Sequence, residues 1–286
     1  MPRTALAEVS LYMPTVSIGN VVMGQGQPLA LVAGPCVLES RELAFSVAER
    51  TKRITSDLGI PYVFKASFDK ANRSSIQSFR GPGLSTGLEL LAAIRKEFDV
   101  PVCTDFHEPA QAAELAEVVD LLQIPAFLCR QTDMLVAAAE TGRAVSVKKG
   151  QFLSPWEMTN VVEKFTAAGS QQLVLTERGT CFGYNNLVLD LRSLSVMRDY
   201  GYPIILDATH SVQLPGAAGD ASGGQREFIP LLIRGGCAAG VDALFMEVHP
   251  EPEKGKSDAA TMWPLDRLAE ILKTAQQIDA VGGRAL

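Results

Sequence analysis

Short apolar runs recur along the chain, and each is followed by a stretch in which apolar residues return every three or four positions. The runs, rich in Val, Ile, Leu and Phe, predict strands at Leu29–Ala33, Pro61–Ala66, Pro101–Asp105, Leu121–Pro125, Ala144–Lys148, Gln172–Glu177, Pro203–Asp207 and Ala243–Val248. Ser40 is placed to cap a helix carrying Leu43, Val47, Ile54 and Leu58, with Gly59 as its stop. Leu88, Leu91, Ile94 and Phe98 mark a second helix, and Glu108–Val118 and Thr132–Thr141 the next two. Ser154-Pro155-Trp156-Glu157 has the form of a capping box with Pro at the first helical position, and Gly169 can end that helix. Leu187–Tyr200, Glu227–Ala239 and Leu265–Ile278 complete the set. Eight alternating pairs predict an α/β fold, a (β/α)8 TIM barrel rather than a doubly wound sheet. Val9–Met13 and Thr15–Val22 predict a short N-terminal β-hairpin closing the barrel bottom. The expectation is one barrel domain over residues 1–286, with residues 1–28 as its hairpin extension.

Composition narrows the class. A chain of 286 residues, 47% hydrophobic, buries enough apolar surface to fold without disulfide staples. No apolar run reaches the about 18 residues of a membrane span, and Met1–Ser10 lacks a basic-then-apolar signal pattern. The five Cys are odd in number and have no framework spacing, so they read as reduced thiols in the cytoplasm. A net charge of −6 argues against a non-specific nucleic-acid binder.

Chemistry in such a barrel sits at the carboxyl ends of the strands. The polar residues at or just beyond the predicted strand ends are, in chain order, Gly34-Pro35-Cys36; Lys65 with Ser67, Lys70, Asn72, Arg73 and Ser74; Asp105 and His107; Gln123; Lys148-Lys149 with Gln151; Glu177-Arg178; Asp207 and His210; and Glu247, His249 and then Asp258. All three His of the chain fall in this set. Desolvating so many charges without purpose costs several kcal/mol each. Lys65, Lys70, Arg73, Lys148 and Arg178 would make a cationic mouth for phosphorylated substrates, unless each pairs with a carboxylate. Cys36, His210, Glu247 and Asp258 offer a thiolate, an imidazole and two carboxylates to a divalent ion such as Zn, Fe or Mn. Their spacing carries no metal motif, and on composition alone Cys36 reads as a small buried residue after a turn. His107 and His249 are candidates to orient ligands or water.

Several long, irregular motifs then stand out. Residues 61–83 read PYVFKASFDKANRSSIQSFRGPG, followed by TDFHEP (104–109), QIPAFLCRQTD (123–133), VKKGQF (147–152), ERGTCFGYNNLV (177–188), DATH (207–210), ASGG (221–224) and EVHPEPE (247–253). Over Leu29 to Ile278 the chain resembles the 3-deoxy-D-manno-octulosonate 8-phosphate synthases. That resemblance implies a (β/α)8 barrel, a homotetramer, and the condensation of phosphoenolpyruvate with D-arabinose 5-phosphate and water. The products would be 3-deoxy-D-manno-octulosonate 8-phosphate, a precursor of lipopolysaccharide, and inorganic phosphate. The family has a metal-dependent class with Cys at the end of the first strand and a metal-free class with Asn there. Cys36 in AGPC and Ser257-Asp258-Ala259 resemble the metal-dependent class.

By the same resemblance, Cys36, His210, Glu247 and Asp258 hold one divalent ion per subunit, and there is no organic cofactor. Lys65, Lys70, Lys148 and Arg178 meet the phosphate and carboxylate of phosphoenolpyruvate, with Gln123 and Ala126 lining that site. Lys70, Asn72, Arg73 and Ser74 take the arabinose 5-phosphate, and Arg130 reaches a neighbouring subunit's site. Ser67, Asp105 and Gln151 complete the substrate-binding set. Cys36, Lys70, His210 and Asp258 are the expected catalytic residues, with phosphoenolpyruvate and the sugar phosphate as the partners and neither a nucleic acid nor a membrane.

Three alternatives compete with this. A 3-deoxy-D-arabino-heptulosonate 7-phosphate synthase would use erythrose 4-phosphate. That family typically shows Lys-Pro-Arg-Thr where this chain has Lys70-Ala71-Asn72-Arg73-Ser74. A Schiff-base aldolase would use Lys148 or Lys149 as nucleophile. A non-catalytic binding protein should have lost a ligand or a clamp, and none is missing. The Gly-rich stretch Leu214–Gly224 is expected to be a mobile lid.

Overall fold

The computed structural model describes residues 14–216 and 223–282. Eight parallel strands, β1 (Ala30–Gly34), β2 (Tyr62–Lys65), β3 (Val102–Asp105), β4 (Leu121–Ile124), β5 (Ala144–Lys148), β6 (Leu173–Glu177), β7 (Ile204–Asp207) and β8 (Ala243–His249), form a sheet in chain order. Pairing of β7 with β8 and of β8 with β1 closes it. The helices are α1 (Arg41–Leu58), α2 (Leu84–Phe98), α3 (Gln111–Ala116), α4 (Thr132–Glu140), α5 (Met158–Ala167), α6 (Arg192–Arg198), α7 (Ile229–Ala238) and α8 (Leu268–Ala280). The fold is the (β/α)8 barrel that the strand–helix rhythm predicts.

Local signals account for several boundaries. Ser40 Oγ accepts from Leu43 N at 3.1 Å, and Gly59 ends α1 in the left-handed conformation at φ 65°. The Ser154–Glu157 capping box is formed, on a 3-10 turn at Pro155–Glu157 that leads into α5. Four predicted helices are shorter than expected. The segment 108–118 is helical only over α3, and 187–200 only from Arg192, because Leu187–Val188 pairs with Thr180–Cys181 in a two-stranded ladder. Arg226–Phe228 and Leu265–Arg267 are 3-10 turns that precede α7 and α8.

The hairpin is present, with a corrected turn. Val16–Ile18 pairs antiparallel with Val21–Met23, so the reversal falls at Gly19-Asn20, inside the stretch read as one strand. Gly19, at φ 56°, supplies the left-handed residue that a two-residue hairpin turn requires. Val9–Met13 lies outside the described residues. Val16, Ile18, Val21 and Met23 pack on Ala30, Val32, Val63, Cys103, Leu121, Ala144, Val174, Ile205, Ala243 and Phe245, the inward side chains of the strands' lower halves. A second core, including Leu31, Phe64, Val145, Val147, Leu173, Leu175 and Leu206, joins the outer strand faces to the helices.

This alternation positions the site. Side chains change face at every residue of a strand. Two positions beyond Val32, Val63, Cys103, Leu121, Ile205 and Phe245 come Gly34, Lys65, Asp105, Gln123, Asp207 and Glu247, and Lys148 follows Ala144 and Ser146. The barrel interior is therefore apolar below and charged at the carboxyl end. A Cβ on Gly34 would stand 2.0 Å from the Lys65 carbonyl oxygen, so only glycine lets β1 and β2 approach there.

Candidate active site

The charged layer opens into a cavity of about 450 Å³ at the carboxyl ends of the strands. Of the residues expected from sequence, Lys65, Lys70, Asn72, Arg73, Ser74, Asp105, Gln123, Ala126, Lys148, Gln151, Arg178, His210 and Asp258 line it, as does His107. Ser67 lies beneath, accepting from Lys65 Nζ at 2.8 Å and donating to Asp105 Oδ1 at 2.5 Å. Arg130 is exposed and outside this cavity. The buried Phe245 ring has its centroid 3.7 Å from Lys148 Nζ.

Three of the five cations pair with carboxylates. Lys65 is 3.3 Å from Asp105, Lys70 is 3.6 Å from Glu247, and Lys148 is 2.5 Å from Asp207. The two arginines contact neutral groups. Arg178 Nη2 donates to Gln213 Oε1 at 2.7 Å, while its buried Nη1 has no hydrogen-bond partner. Arg73 Nη1 donates to Ser257 Oγ at 2.6 Å. Burial lowers the pKa of Lys148 despite Asp207 beside it, and burial likewise lowers that of Arg178. Both cations would gain from an anion in the cavity.

Beside Lys70, Cys36, Glu247 and Asp258 bring ligand atoms within 4.8 Å of one another. His210 joins from the 3-10 turn after β7: its Nε2 is 3.6 Å from Glu247 Oε1 and 3.7 Å from Asp258 Oδ2. His210 Nδ1 is 2.7 Å from Asp207 Oδ2, which orients the ring with Nε2 toward the cluster. Glu247 is 1% exposed, and neither of its carboxylate oxygens has a hydrogen-bond donor. A buried carboxylate without a donor is costly, and a divalent cation would satisfy it. The donor set therefore fits a divalent metal ion. Burial, then Asp258 and Glu247, hold the Cys36 thiol well above the usual range, and its Sγ donates to Asp258 Oδ2 at 3.2 Å. Burial acts to lower the pKa of His210, but Asp207 and Glu247 together outweigh it and the pKa is raised.

Sequence reading missed Gln213, which lines the cavity and receives Arg178. It stands three residues beyond His210, one turn along, and that spacing is the only signal for it. Lys149 and Glu177, read as strand-end candidates, do not line the cavity. They share the outward parity of Val147 and Leu175, so Lys149 is not placed as a Schiff-base nucleophile. His249 is also away from the cluster, its Nδ1 accepting from Glu251 N at 2.9 Å. Of the expected lid, Gln213–Leu214 pairs with Gly223–Gly224, and residues 217–222 lie outside the described residues. Among the described residues no helix is long and apolar enough to cross a membrane.

Residues 8–282 match the model of the DAHP synthetase I family. Among relatives named 2-dehydro-3-deoxyphosphooctonate aldolase, that of Trichlorobacter lovleyi is 55% identical over 266 residues, covering 93% of this chain and 98% of the relative. That of Fusobacterium nucleatum is 56% identical over 266 residues, with 93% and 96% covered. That of Xanthomonas campestris is 56% identical over 259 residues, with 91% and 94% covered. With a family match over nearly its whole length and relatives of this closeness, the chain belongs to the DAHP synthetase I family, among the members named 2-dehydro-3-deoxyphosphooctonate aldolase.

Proposed function

We propose that this protein joins phosphoenolpyruvate to D-arabinose 5-phosphate, giving 3-deoxy-D-manno-octulosonate 8-phosphate and inorganic phosphate. The observation that carries the reading is one cavity lined by Lys65, Lys70, Arg73, Lys148 and Arg178, the last with a free buried Nη1, and adjoining the cluster of Cys36, His210, Glu247 and Asp258. Relatives at 55–56% identity named for the same eight-carbon acid phosphate favour it over the seven-carbon alternative.

Arg178, Lys148 and Lys65 hold the phosphate and carboxylate of phosphoenolpyruvate, with Gln123 and Ala126 beside it and Gln151 at the same wall. Arg73, Asn72, Ser74 and Lys70 hold the sugar phosphate, and the Ser67–Asp105 pair keeps Lys65 in place. Drawing two anions together requires such clamps, which also order them for attack. The enol C3 attacks the aldehyde carbon, forming the carbon–carbon bond. Positive character develops at C2, water adds there, and the hemiketal phosphate releases inorganic phosphate by breaking its C2–O bond. Lys70 lies beside Glu247, placed to stabilise the aldehyde oxygen as it takes up charge.

Cys36, His210, Glu247 and Asp258 would hold one divalent ion, which supplies electrophilic help and orientation to the aldehyde oxygen. Asp207 keeps His210 turned toward that position. The family resemblance supports a homotetramer, in which Phe127, 53% exposed at the cavity rim, and the exposed Arg130 are side chains beside this site for a neighbouring subunit to meet. A cytoplasmic setting suits a site built on a reduced thiol.

The test offers equimolar arabinose 5-phosphate and erythrose 4-phosphate with phosphoenolpyruvate and resolves the products by mass. The eight-carbon acid phosphate should dominate. A dominant seven-carbon product would overturn the substrate assignment.

A further inference from the structure

Two buried ionisable side chains beside the cavity have no role in the reaction just described. Lys149 is 0% exposed and Glu177 is 1% exposed, with Nζ and Oε1 3.5 Å apart. A buried pair of this kind is weak evidence for stability, because apolar residues of similar volume often serve a fold as well. What distinguishes the pair is where its hydrogen bonds go. Glu177 Oε1 accepts from Arg178 N at 2.9 Å and from Gly179 N at 2.7 Å, and Oε2 accepts from Ser193 Oγ of α6 at 2.6 Å. Lys149 Nζ donates to Thr180 Oγ1 at 2.8 Å and to the carbonyl oxygens of Leu153 and Gly150 at 3.3 and 3.4 Å. Cys181 N closes the link by donating to Gln151 O at 2.9 Å. The pair thus grips, from the outer face of the barrel, the two segments whose side chains Arg178 and Gln151 face the cavity.

We infer that Lys149 and Glu177 are positioning residues for the phosphoenolpyruvate half of the site: the buried pair fixes the 150–153 and 178–180 backbones, and through them the Arg178 guanidinium. The inference rests on the reading of Arg178 as an anion clamp. Anchoring by backbone suits this place. Among the described side chains the guanidinium hydrogen-bonds only to Gln213 and forms no ion pair, so its aim depends on the backbone that carries it. A displacement well under 1 Å would loosen a bidentate contact to an anion.

The test uses metal-loaded enzyme and four variants. Glu177→Asp withdraws the carboxylate from the Arg178 and Gly179 amides. Ser193→Ala removes one tether and leaves the charges in place. Lys149→Met combined with Glu177→Gln gives a neutral pair of similar volume. Arg178→Lys is the control. Glu177→Asp and the neutral pair should raise KM for phosphoenolpyruvate about tenfold, the scale of a small misplacement. Ser193→Ala should raise it about threefold, the scale of one modest hydrogen bond. KM for arabinose 5-phosphate should stay within about twofold, and the calorimetric Kd for phosphoenolpyruvate should move with its KM. A purely structural role would lower Tm and kcat and leave KM for phosphoenolpyruvate unchanged in all three, and that result overturns the inference. If Arg178→Lys itself leaves KM for phosphoenolpyruvate unchanged, the reading of the site falls first. If Arg178→Lys raises it and the other three do not, the inference alone falls.

Discussion

Arg73 Nη1 and Ser257 Oγ, 184 positions apart in the chain, meet at 2.6 Å. The contact ties the loop after β2, assigned to the sugar phosphate, to the loop after β8 that carries Asp258. Asp258 itself has φ 48°, in the left-handed region that a non-glycine residue occupies at a cost. Lys256 N donates to Glu39 Oε1 at 3.0 Å and holds the same loop from the other side. Ser257→Ala should therefore raise KM for arabinose 5-phosphate about fivefold, the effect of one hydrogen bond to a charged group partly replaced by water. KM for phosphoenolpyruvate should be unchanged. Steady-state kinetics with each substrate varied in turn checks this, and an equal rise in both would contradict it.

Metal uptake should release protons. The Cys36 thiol is held above its ordinary range first by burial and then by Asp258 and Glu247. His210 is raised because Asp207 and Glu247 together outweigh the effect of burial. Both groups therefore favour their protonated forms in the metal-free protein, and both must lose a proton to ligate. Metal affinity should rise with pH across the neutral range. Calorimetric titration of the metal in two buffers of different ionisation heat should show net proton release, reduced by about one proton in Cys36→Ala. Equal release by both proteins would remove Cys36 from the ligand set.

Asp207 ties the barrel to acid sensitivity. Burial would raise its pKa, but His210 and Lys148 outweigh that and hold the carboxyl well below the usual range. A depressed carboxyl stabilises the fold fully above its unfolded pKa of about 3.9. That contribution shrinks as pH falls below this value and is lost as pH drops through the folded pKa. Asp207→Asn should lose about 3–5 kcal/mol at neutral pH, the cost of leaving a buried cation without its partner. Its stability should fall less steeply than wild type between about pH 5 and pH 3, because the unfolded carboxyl that drives the loss is absent. Denaturant melts over that range measure both effects.

The hairpin plug should affect stability and spare the chemistry. Ile18 is 0% exposed against the lower barrel interior, far along the strands from the cavity. Ile18→Ala should cost about 2–5 kcal/mol, the usual range for emptying a buried aliphatic site, with KM for both substrates unchanged. Denaturant melts and steady-state kinetics on the same preparation test this. A changed KM with unchanged stability would reverse the assignment.

Most of the barrel is legible in the sequence because each strand carries a largely apolar run, broken by no more than a residue such as Thr104 or Ser146, and the longer helices keep a 3.6-residue period. The inward charged layer is legible for the same reason: Lys65, Asp105, Gln123, Lys148, Asp207 and Glu247 each end or nearly end such a run. Strand-end position does not tell inward from outward, however. Lys149 and Glu177 stand one residue beside Lys148 and Arg178, yet face the other way, and only the strand register separates them. The hairpin turn is legible too, because Gly19-Asn20 is a two-residue turn dipeptide between short apolar runs; reading Thr15–Val22 as one strand overlooks it. Leu187–Val188 reads as part of a helix because its pairing with Thr180–Cys181 is set by tertiary contact, not by local spacing.

The central claim is that phosphate release depends on the sugar acceptor and on the site formed by Cys36, His210, Glu247 and Asp258. The direct measurement is phosphate release from phosphoenolpyruvate, with and without arabinose 5-phosphate, on metal-loaded, chelator-stripped and reloaded enzyme, with metal content assayed in each sample. The account predicts release that requires the sugar, disappears on stripping and returns on reloading. Release that survives verified stripping, or that proceeds equally without the sugar, would contradict it.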